Sequence, residues 1–412
     1  MKNKQNLIGF LLFIVVAFAL DLFELRIMQD NTLKAIKFVI LGGAIVLSLP
    51  FVIVKFRGFS LAIHLMCLAI LISFVMAKVS WDQNYLDSFK VCLPFMMWFL
   101  YFFLLHHKVP LKTLENIMVI YGLIYMILYI FQFLNSQTVY FGWIDSYGST
   151  RGIVRILFPG GGVFFLGFFI ALNKYTEKEG NKLFWLLFII AGCIVTLMQV
   201  TRQNIIVLII VIVYHLMRNQ ALYKKLLIIF FISGPLLIFL NSDNPIVNGL
   251  IKNQEKGNSF DTKNVRVEEA DFFINRYSPY DYNRVFGNGV PYYKTRYGVF
   301  DSVNQKKGFF YTDVGIIGVY VLFGILAVIA DLLIFVKGFS YKVPQRYMYL
   351  KYYLFFLLVT CLTSEALFNE NFLIADVFAV YSLQYLYEEK SGKKIRIASD
   401  QLSELLNKPK VQ

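Results

Sequence analysis

Charge is what this sequence has least of. Only 16% of its 412 residues are Asp, Glu, Lys or Arg, where a soluble domain carries about 25%. With 58% of the chain hydrophobic and 17% aromatic, too little polar surface remains to cover a water-soluble globule. Cysteine is also scarce. Cys67, Cys92, Cys193 and Cys361 lie far apart, in or beside apolar runs, with no CxxC spacing, which excludes a disulfide framework and a thiolate zinc site. The few histidines are His64, inside an apolar run, and His106, His107 and His215, near the ends of others. No metal site is expected from them. No small-residue cleavage site follows the first apolar stretch, so that stretch reads as a span and not as a removed signal peptide. No glycine-rich phosphate loop stands between a strand and a helix, and "FGNGV" alone is too weak to be one. No nucleotide cofactor is expected.

What is present is a succession of apolar runs, each long enough to cross a bilayer core of about 30 Å. The fold class they predict is an all-α polytopic membrane protein with about 12 transmembrane helices. The expected spans lie near 7–22, 36–54, 59–77, 91–105, 117–134, 153–172, 183–200, 204–219, 224–240, 310–336, 348–366 and 372–388. The formal net charge of +14 invites a nucleic-acid reading. The basic residues sit instead in the connections between apolar runs, so the partner is a membrane and no nucleic acid is expected. They concentrate on the side that carries the N-terminus. The short connections opposite hold only Arg26, Lys34, Lys37, Lys78, Lys90, Arg151, Arg155 and Arg202. Both termini are therefore expected in the cytoplasm.

The chain divides accordingly into membrane helices over 1–240, one large extracytoplasmic loop over 241–309, further membrane helices over 310–388, and a basic cytoplasmic tail over 389–412. A connector as long as the loop is usually functional or disordered. "NVRVEEADFFINRY" (264–277) predicts a short amphipathic helix with Val267, Ala270, Phe273 and Ile274 on its apolar face. Pro279, Gly287, Gly289 and Pro291 then mark turns. The tail reads as a surface helix with Ile395, Leu402, Leu405 and Leu406 on one face.

Three arginines carry the functional argument. Arg202 is the only full charge between Leu183 and Met217. It falls in the outward turn between the seventh and eighth spans. The apolar segment after it, about 21 Å long at 1.5 Å per residue, is shorter than the hydrocarbon core. A charge near membrane depth is by default a functional residue; the plain alternative is an arginine snorkelling to headgroups. Arg151 and Arg155 stand where the sixth span begins, one helical turn apart, so a helix places both on one face. "PGGG" (159–162) follows and is expected to break or kink that helix. Arginine presents planar paired donors suited to phosphate, so these three form a candidate diphosphate site. The aromatic stretch "VYFGWIDSY" before them suits a sugar or a lipid headgroup. Arg266 and Arg276 in the loop are further candidates for substrate binding or loop order.

At four places the sequence resembles the O-antigen polymerase and O-antigen ligase superfamily of bacterial envelope proteins. "VTRQNIIVLIIVIV" (200–213) is similar to its Ser/Thr-Arg turn before an apolar helix. "RGIVRILFPGGGVFF" (151–165) resembles its arginine-containing entry to a Gly/Pro-interrupted span. "NVRVEEADFFINRYSPYDYNRVFGNGV" (264–290) resembles an Arg-led helix running into a Gly-x-Gly turn. "YTDVGIIGVYVLFG" (311–324) resembles the acidic-x-Gly-x-x-Gly start of the span after the large loop. Arg151 with Gly162, and Arg276 with Gly287, also repeat the Arg-x10-Gly spacing of some polymerases. The ligases carry a His-Asn pair shortly before the acidic-x-Gly element. Here the stretch reads "FDSVNQKKGFFYTDVG", without histidine, which favours the polymerase branch.

The resemblance implies a metal-independent glycosyltransferase that joins undecaprenyl-diphosphate-linked repeat units at the outer face of a bacterial cytoplasmic membrane, for O-antigen, capsule or exopolysaccharide. Arg202, Arg151 and Arg155 would hold the diphosphate. Asp313 or Asp301 would deprotonate the acceptor hydroxyl, and Arg266, Arg276, Tyr277 and Gly287 would order substrate or loop. Expected partners are the lipid-linked oligosaccharide, with a chain-length regulator and a flippase beside it. The alternatives are a ligase and a lipid-linked oligosaccharide flippase or other transporter, which would need charged residues along a path open to both sides.

Overall fold

The structure, a computed structural model, describes residues 2–26, 31–147, 154–218, 221 and 265–406. The expected ninth span, 224–240, and Arg151 lie outside the described residues. The first part is a helical bundle of α1 (Lys2–Ala19), α2 (Asn31–Ser48), α3 (Ser60–Trp81), α4 (Tyr85–Cys92), α5 (Leu100–His107), α6 (Leu111–Leu134), α7 (Gly161–Thr176), α8 (Lys182–Met198) and α9 (Arg202–Met217). An antiparallel hairpin, β1 (Trp143–Tyr147) and β2 (Val154–Leu157), stands between α6 and α7. The large loop contributes α10 (Val265–Asn275), α11 (Asn283–Phe286) and α12 (Arg296–Lys306). The chain then returns to the bundle with α13 (Ile316–Ser340), α14 (Tyr349–Thr360) and α15 (Leu373–Leu406).

This is an all-α architecture with helices apolar enough for a membrane, but the expected twelve spans are not reached among the described residues. Four helices are long and apolar enough to cross a membrane: Thr32–Phe51, α3, α6 and α13. A fifth is gained if Tyr85–Cys92 and Phe95–His107, bent by 67° at their junction, form one span. Lys4–Ala19, α8 and α9 are apolar but shorter. The reason is local chemistry that an apolar run conceals. The expected span at 91–105 is bent where Pro94 removes a backbone donor. The one at 153–172 begins as strand β2, because Val154 and Ile156 alternate with Arg155 and pair across to β1. The one at 348–366 stops as a 12-residue helix. The last expected span and the tail are a single continuous helix, α15.

Bilayer tails are as apolar as leucine, so helices associate there through close contact and hydrogen bonds. The α3–α13 interface follows this rule. Ala62, Ala69, Ser73 and Ala77 on α3 are buried, as are Gly318, Ala327 and Ala330 on α13. Small side chains let the two backbones approach.

A break in α13 then sets the place of the large loop. Gly324 leaves helical geometry (φ 77°, ψ −174°). The carbonyls of Val321 and Leu322 so lose their helical donors, which is costly in an apolar interior. The loop replaces them: Asn288 N–H donates to Val321 O at 2.8 Å and Gly289 N–H to Leu322 O at 2.9 Å. Asn288 Nδ2 adds a bond to Val321 O at 2.9 Å. Gln83, in the link after α3, fastens the same segment. Its Nε2 donates to Val290 O at 2.9 Å and its Oε1 accepts from Tyr292 N–H at 2.9 Å. The "FGNGV" segment is therefore a backbone plug for a broken span.

The rest of the loop packs as a small aromatic cluster. Trp81 stacks on Tyr297 at 4.4 Å, and Phe273 and Tyr277 are buried beside them. Helix α10 forms as the sequence predicts, but on a different face. It buries Glu269 and Phe273, while Val267 and Ile274 are exposed, because the floor beneath it is Phe309 and Tyr277.

Gly287 (φ 80°, ψ −179°) occupies backbone space open to glycine alone, and a Cβ there would lie 2.5 Å from Leu322 O. Gly287→Ala should lower unfolding stability by about 3 kcal/mol or more. Gly308→Ala, also at positive φ but facing open space, should cost about 1 kcal/mol. Thermal unfolding of both variants in detergent measures the difference.

Candidate functional site

Several of the chain's interruptions meet at the end of the bundle that carries the large loop. The α1–α2 link, the Pro94 break, the hairpin, the loop segment before α13 and the α14–α15 link together enclose a cavity of about 270 Å³. Broken helices are tolerated at membrane depth where they line such cavities. The glycines of "PGGG" have a local task here. Helix α7 begins at Gly161, so the motif starts a helix where a kink within one was expected. A Cβ on Gly162 would lie 2.5 Å from Phe372 Cα, and Gly162 N–H donates to Asn371 O at 3.0 Å. The missing side chain lets the α14–α15 link lie directly on the start of α7. Trp98 holds the same link from below, donating to Leu367 O at 3.2 Å.

That link delivers Glu365, Asn369, Glu370 and Asn371 to the cavity wall. The α1–α2 link adds Asp21 and Glu24, and α2 adds Lys37. Lys37 and Asp21 form an ion pair at 3.1 Å. Glu365 is 7% exposed, and among the described residues neither its carboxylate nor that of Glu370 has a hydrogen bond or an ion pair. Burial pushes the Glu365 carboxyl up to about 8, with Glu370 and Asp313 adding repulsion. Glu370 lines the cavity at a solvent-exposed position. Burial raises its carboxyl too; Lys37 opposes the rise, while Asp21 and Glu24 add to it. Glu24 is raised by burial first and by Asp21 second. Carboxyls held near neutrality in a cleft suit proton transfer. Trp143 and Tyr311 supply aromatic wall.

The sequence-predicted residues fall in several places. Arg202 is the first residue of α9 and half-buried. Its neighbour Gln203 donates to Val359 O and accepts from Thr363 Oγ1, both at the α14 end. Gln199 in the same turn donates to Tyr125 on α6 at 3.1 Å. Arg155, half-buried on β2, lies close enough to Tyr129 for its charge to act there, and Tyr129 stacks with Tyr125. So the Arg155 strand and the Arg202 turn meet the same tyrosines of α6. Arg155 lies in a strand and not at the helical start expected for it, while Arg151, its expected neighbour, lies outside the described residues. Among the described residues no arginine lines the cavity.

Of the loop residues, Arg276 is exposed and paired with Asp271 at 2.5 Å. Arg266 is exposed on α10, with its charge acting on Glu269. Tyr277 is buried; its hydroxyl donates to Tyr297 Oη at 3.3 Å and to Asp301 Oδ1 at 3.4 Å. Asp301 therefore belongs to the aromatic cluster, where Gln305 Nε2 also donates to it at 2.8 Å. Asp313 is exposed in the turn before α13, within electrostatic reach of Glu365.

Asp21, Glu24, Lys37, Glu365 and Glu370 were not singled out by the sequence reading. A signal existed. "DLFE" (21–24) and "SEALFNENF" (364–372) place acids in two short links between apolar runs, where solvated acids have little room.

No protein-family model matches this chain, and no curated protein matches it.

Burial holds the Asp301 carboxyl up at about 6, against about 4 in an unfolded chain. The folded state thus keeps this proton longer, and the carboxylate costs stability as pH rises from about 4 through 6. Asp301→Asn should raise the melting temperature at pH 8, by the equivalent of about 1–3 kcal/mol, and leave it nearly unchanged at pH 4. Thermal scans of both proteins at the two pH values test this.

Proposed function

We propose that this protein is a polysaccharide repeat-unit polymerase of the superfamily it resembles, acting on glycans carried by a lipid diphosphate at the outer face of a bacterial cytoplasmic membrane with both termini inside. The observation that carries the reading is the cavity: the buried Glu365 carboxyl, without a side-chain partner among the described residues, beside other acids and aromatic and amide side chains, at the loop-bearing end of an apolar bundle. Arg155 and the Arg202 turn stand on the same α6 tyrosines at that end. This arrangement suits a reaction in which sugar hydroxyl and diphosphate meet at one membrane face.

In the proposed step the acceptor sugar lies in the cavity against Trp143 and Tyr311. Its hydroxyl oxygen attacks the anomeric carbon of the donor, and the bond from that carbon to the diphosphate oxygen breaks. The lipid diphosphate leaves with the electron pair, and the hydroxyl proton passes to the Glu365 carboxylate. Arg202 and Arg155, with Arg151, supply fixed positive charge where negative charge grows on the leaving diphosphate. Asp313, next to Glu365 electrostatically, is the second carboxylate of the proposal. Asp301 is the third, Arg266 and Arg276 order the loop, and Gly287 fixes it to α13.

In a strain lacking the gene, Arg202→Ala should cut long-chain polysaccharide by about 100-fold or more, with single lipid-linked units accumulating on the outer face. Arg202→Lys should restore only part, since a point charge replaces a paired donor. Gel analysis of surface polysaccharide, with a side-specific assay of lipid-linked units, reads both. Units trapped on the cytoplasmic face would identify a transporter instead. With reconstituted protein, the initial rate should rise between pH 6 and pH 8 as Glu365 ionises, and Glu365→Gln should abolish that rise.

A further inference from the structure

The cavity has a charge that the diphosphate chemistry does not explain. Its charged wall is Asp21, Glu24, Glu365 and Glu370 against Lys37, which is already paired with Asp21. Among the described residues a lipid diphosphate would meet carboxylates there and no arginine, and like charges brought together in an enclosed site repel strongly. The group that enters must differ from the one the arginines hold.

What the Glu365 carboxylate lacks is a donor. Glu365 is more than nine-tenths buried and lines the open volume, and its carboxylate has no hydrogen bond or ion pair among the described residues. A buried carboxyl without a partner is costly in any fold. A ligand that brings donors, and positive charge above all, removes that cost. Asn369 and Asn371 offer amide groups that hydroxyls match, and Trp143 and Tyr311 offer faces for a sugar ring or a cation. At about 270 Å³ the space lies just under the roughly 300–1,000 Å³ of drug-sized pockets. It suits one sugar residue, not an extended chain.

We propose that this cavity is a subsite for a sugar residue bearing a free primary amine, whose ammonium binds between Glu365 and Glu370. The proposal rests on the polymerase reading for the identity of that residue as the acceptor terminus. It divides the outer face into a cationic station for the donor diphosphate and an anionic station for an amino sugar. Acidic sugars are excluded from the second by the carboxylates that attract the amine.

The test uses the full chain in lipid nanodiscs and three probes of equal length: tetraglucosamine, its fully N-acetylated form and tetragalacturonate. Binding is followed by tryptophan fluorescence, with saturation-transfer NMR to show which ring is held. The amine-bearing tetramer should bind at least about 10-fold more tightly than the N-acetylated one, with its terminal ring held most closely, and the uronate should not bind. Glu365→Gln and Glu370→Gln should each remove most of the preference for the amine. Equal binding of the amine and N-acetyl forms by wild type would overturn the proposal, and so would binding of the uronate. That comparison needs no variant to fold. If the amine preference stands while Arg202→Ala leaves long chains intact, the polymerase reading fails and the amine site survives. If Arg202→Ala stops polymerisation while wild type shows no amine preference, the reverse holds.

Discussion

A backbone carbonyl inside an apolar bundle must have a donor, and the rest of this structure depends on how that demand is met at Gly324. The helix α13 breaks there, and the bonds that Val321 and Leu322 lose are made by Asn288 and Gly289 from the far end of the large loop. A soluble loop is thereby pinned into the bundle by its own main chain. Gln83, in the link after α3, pins it again. The aromatic cluster around Trp81 and Tyr297 then has a fixed floor, and the turn carrying Tyr311 and Asp313 is delivered to the mouth of the cavity. Breaks elsewhere act in concert with this one. Pro94 bends the fourth helical segment and Gly162 admits the α14–α15 link, so two breaks in helices and one missing side chain leave a single space between them.

Charge at this end of the bundle is sorted by sign. The Arg155 strand and the Arg202 turn gather about Tyr125 and Tyr129 of α6, while Asp21, Glu24, Glu365 and Glu370 face the cavity. A uniform mixture would have neutralised itself in ion pairs, as Arg276 and Asp271 do on the loop surface. Separation leaves the cavity wall mainly anionic among the described residues. It also raises the carboxyls, since their neighbours are mostly other carboxyls and apolar side chains.

The all-α, membrane-type fold was legible in the sequence because apolar runs are a property of composition along the chain. So was the helix at 264–277, and so were the glycine motifs as places of unusual backbone. The number of spans was not. An apolar run does not tell a helix from a strand when β-branched residues alternate, as at Val154 and Ile156, nor a straight helix from one bent at a proline. The buried face of α10 was misjudged for a related reason: the period selects a set of possible faces, and the surface beneath selects among them.

The candidate site divides in the same way. Isolated arginines in apolar surroundings stand out in sequence because a fixed charge there is costly wherever the chain goes. The acids of the cavity do not, because each sits in a short polar link where an acid is unremarkable. Residues 21–24 and 364–372 become one site only when α1, α7 and α14 are packed. The sequence by itself determined that this chain is helical, apolar and marked by a few arginines, since those follow from residue chemistry taken one segment at a time. Only the tertiary structure decided which acids share a cavity and which backbone repairs the break in α13. Burial and proximity between distant segments exist only after they meet.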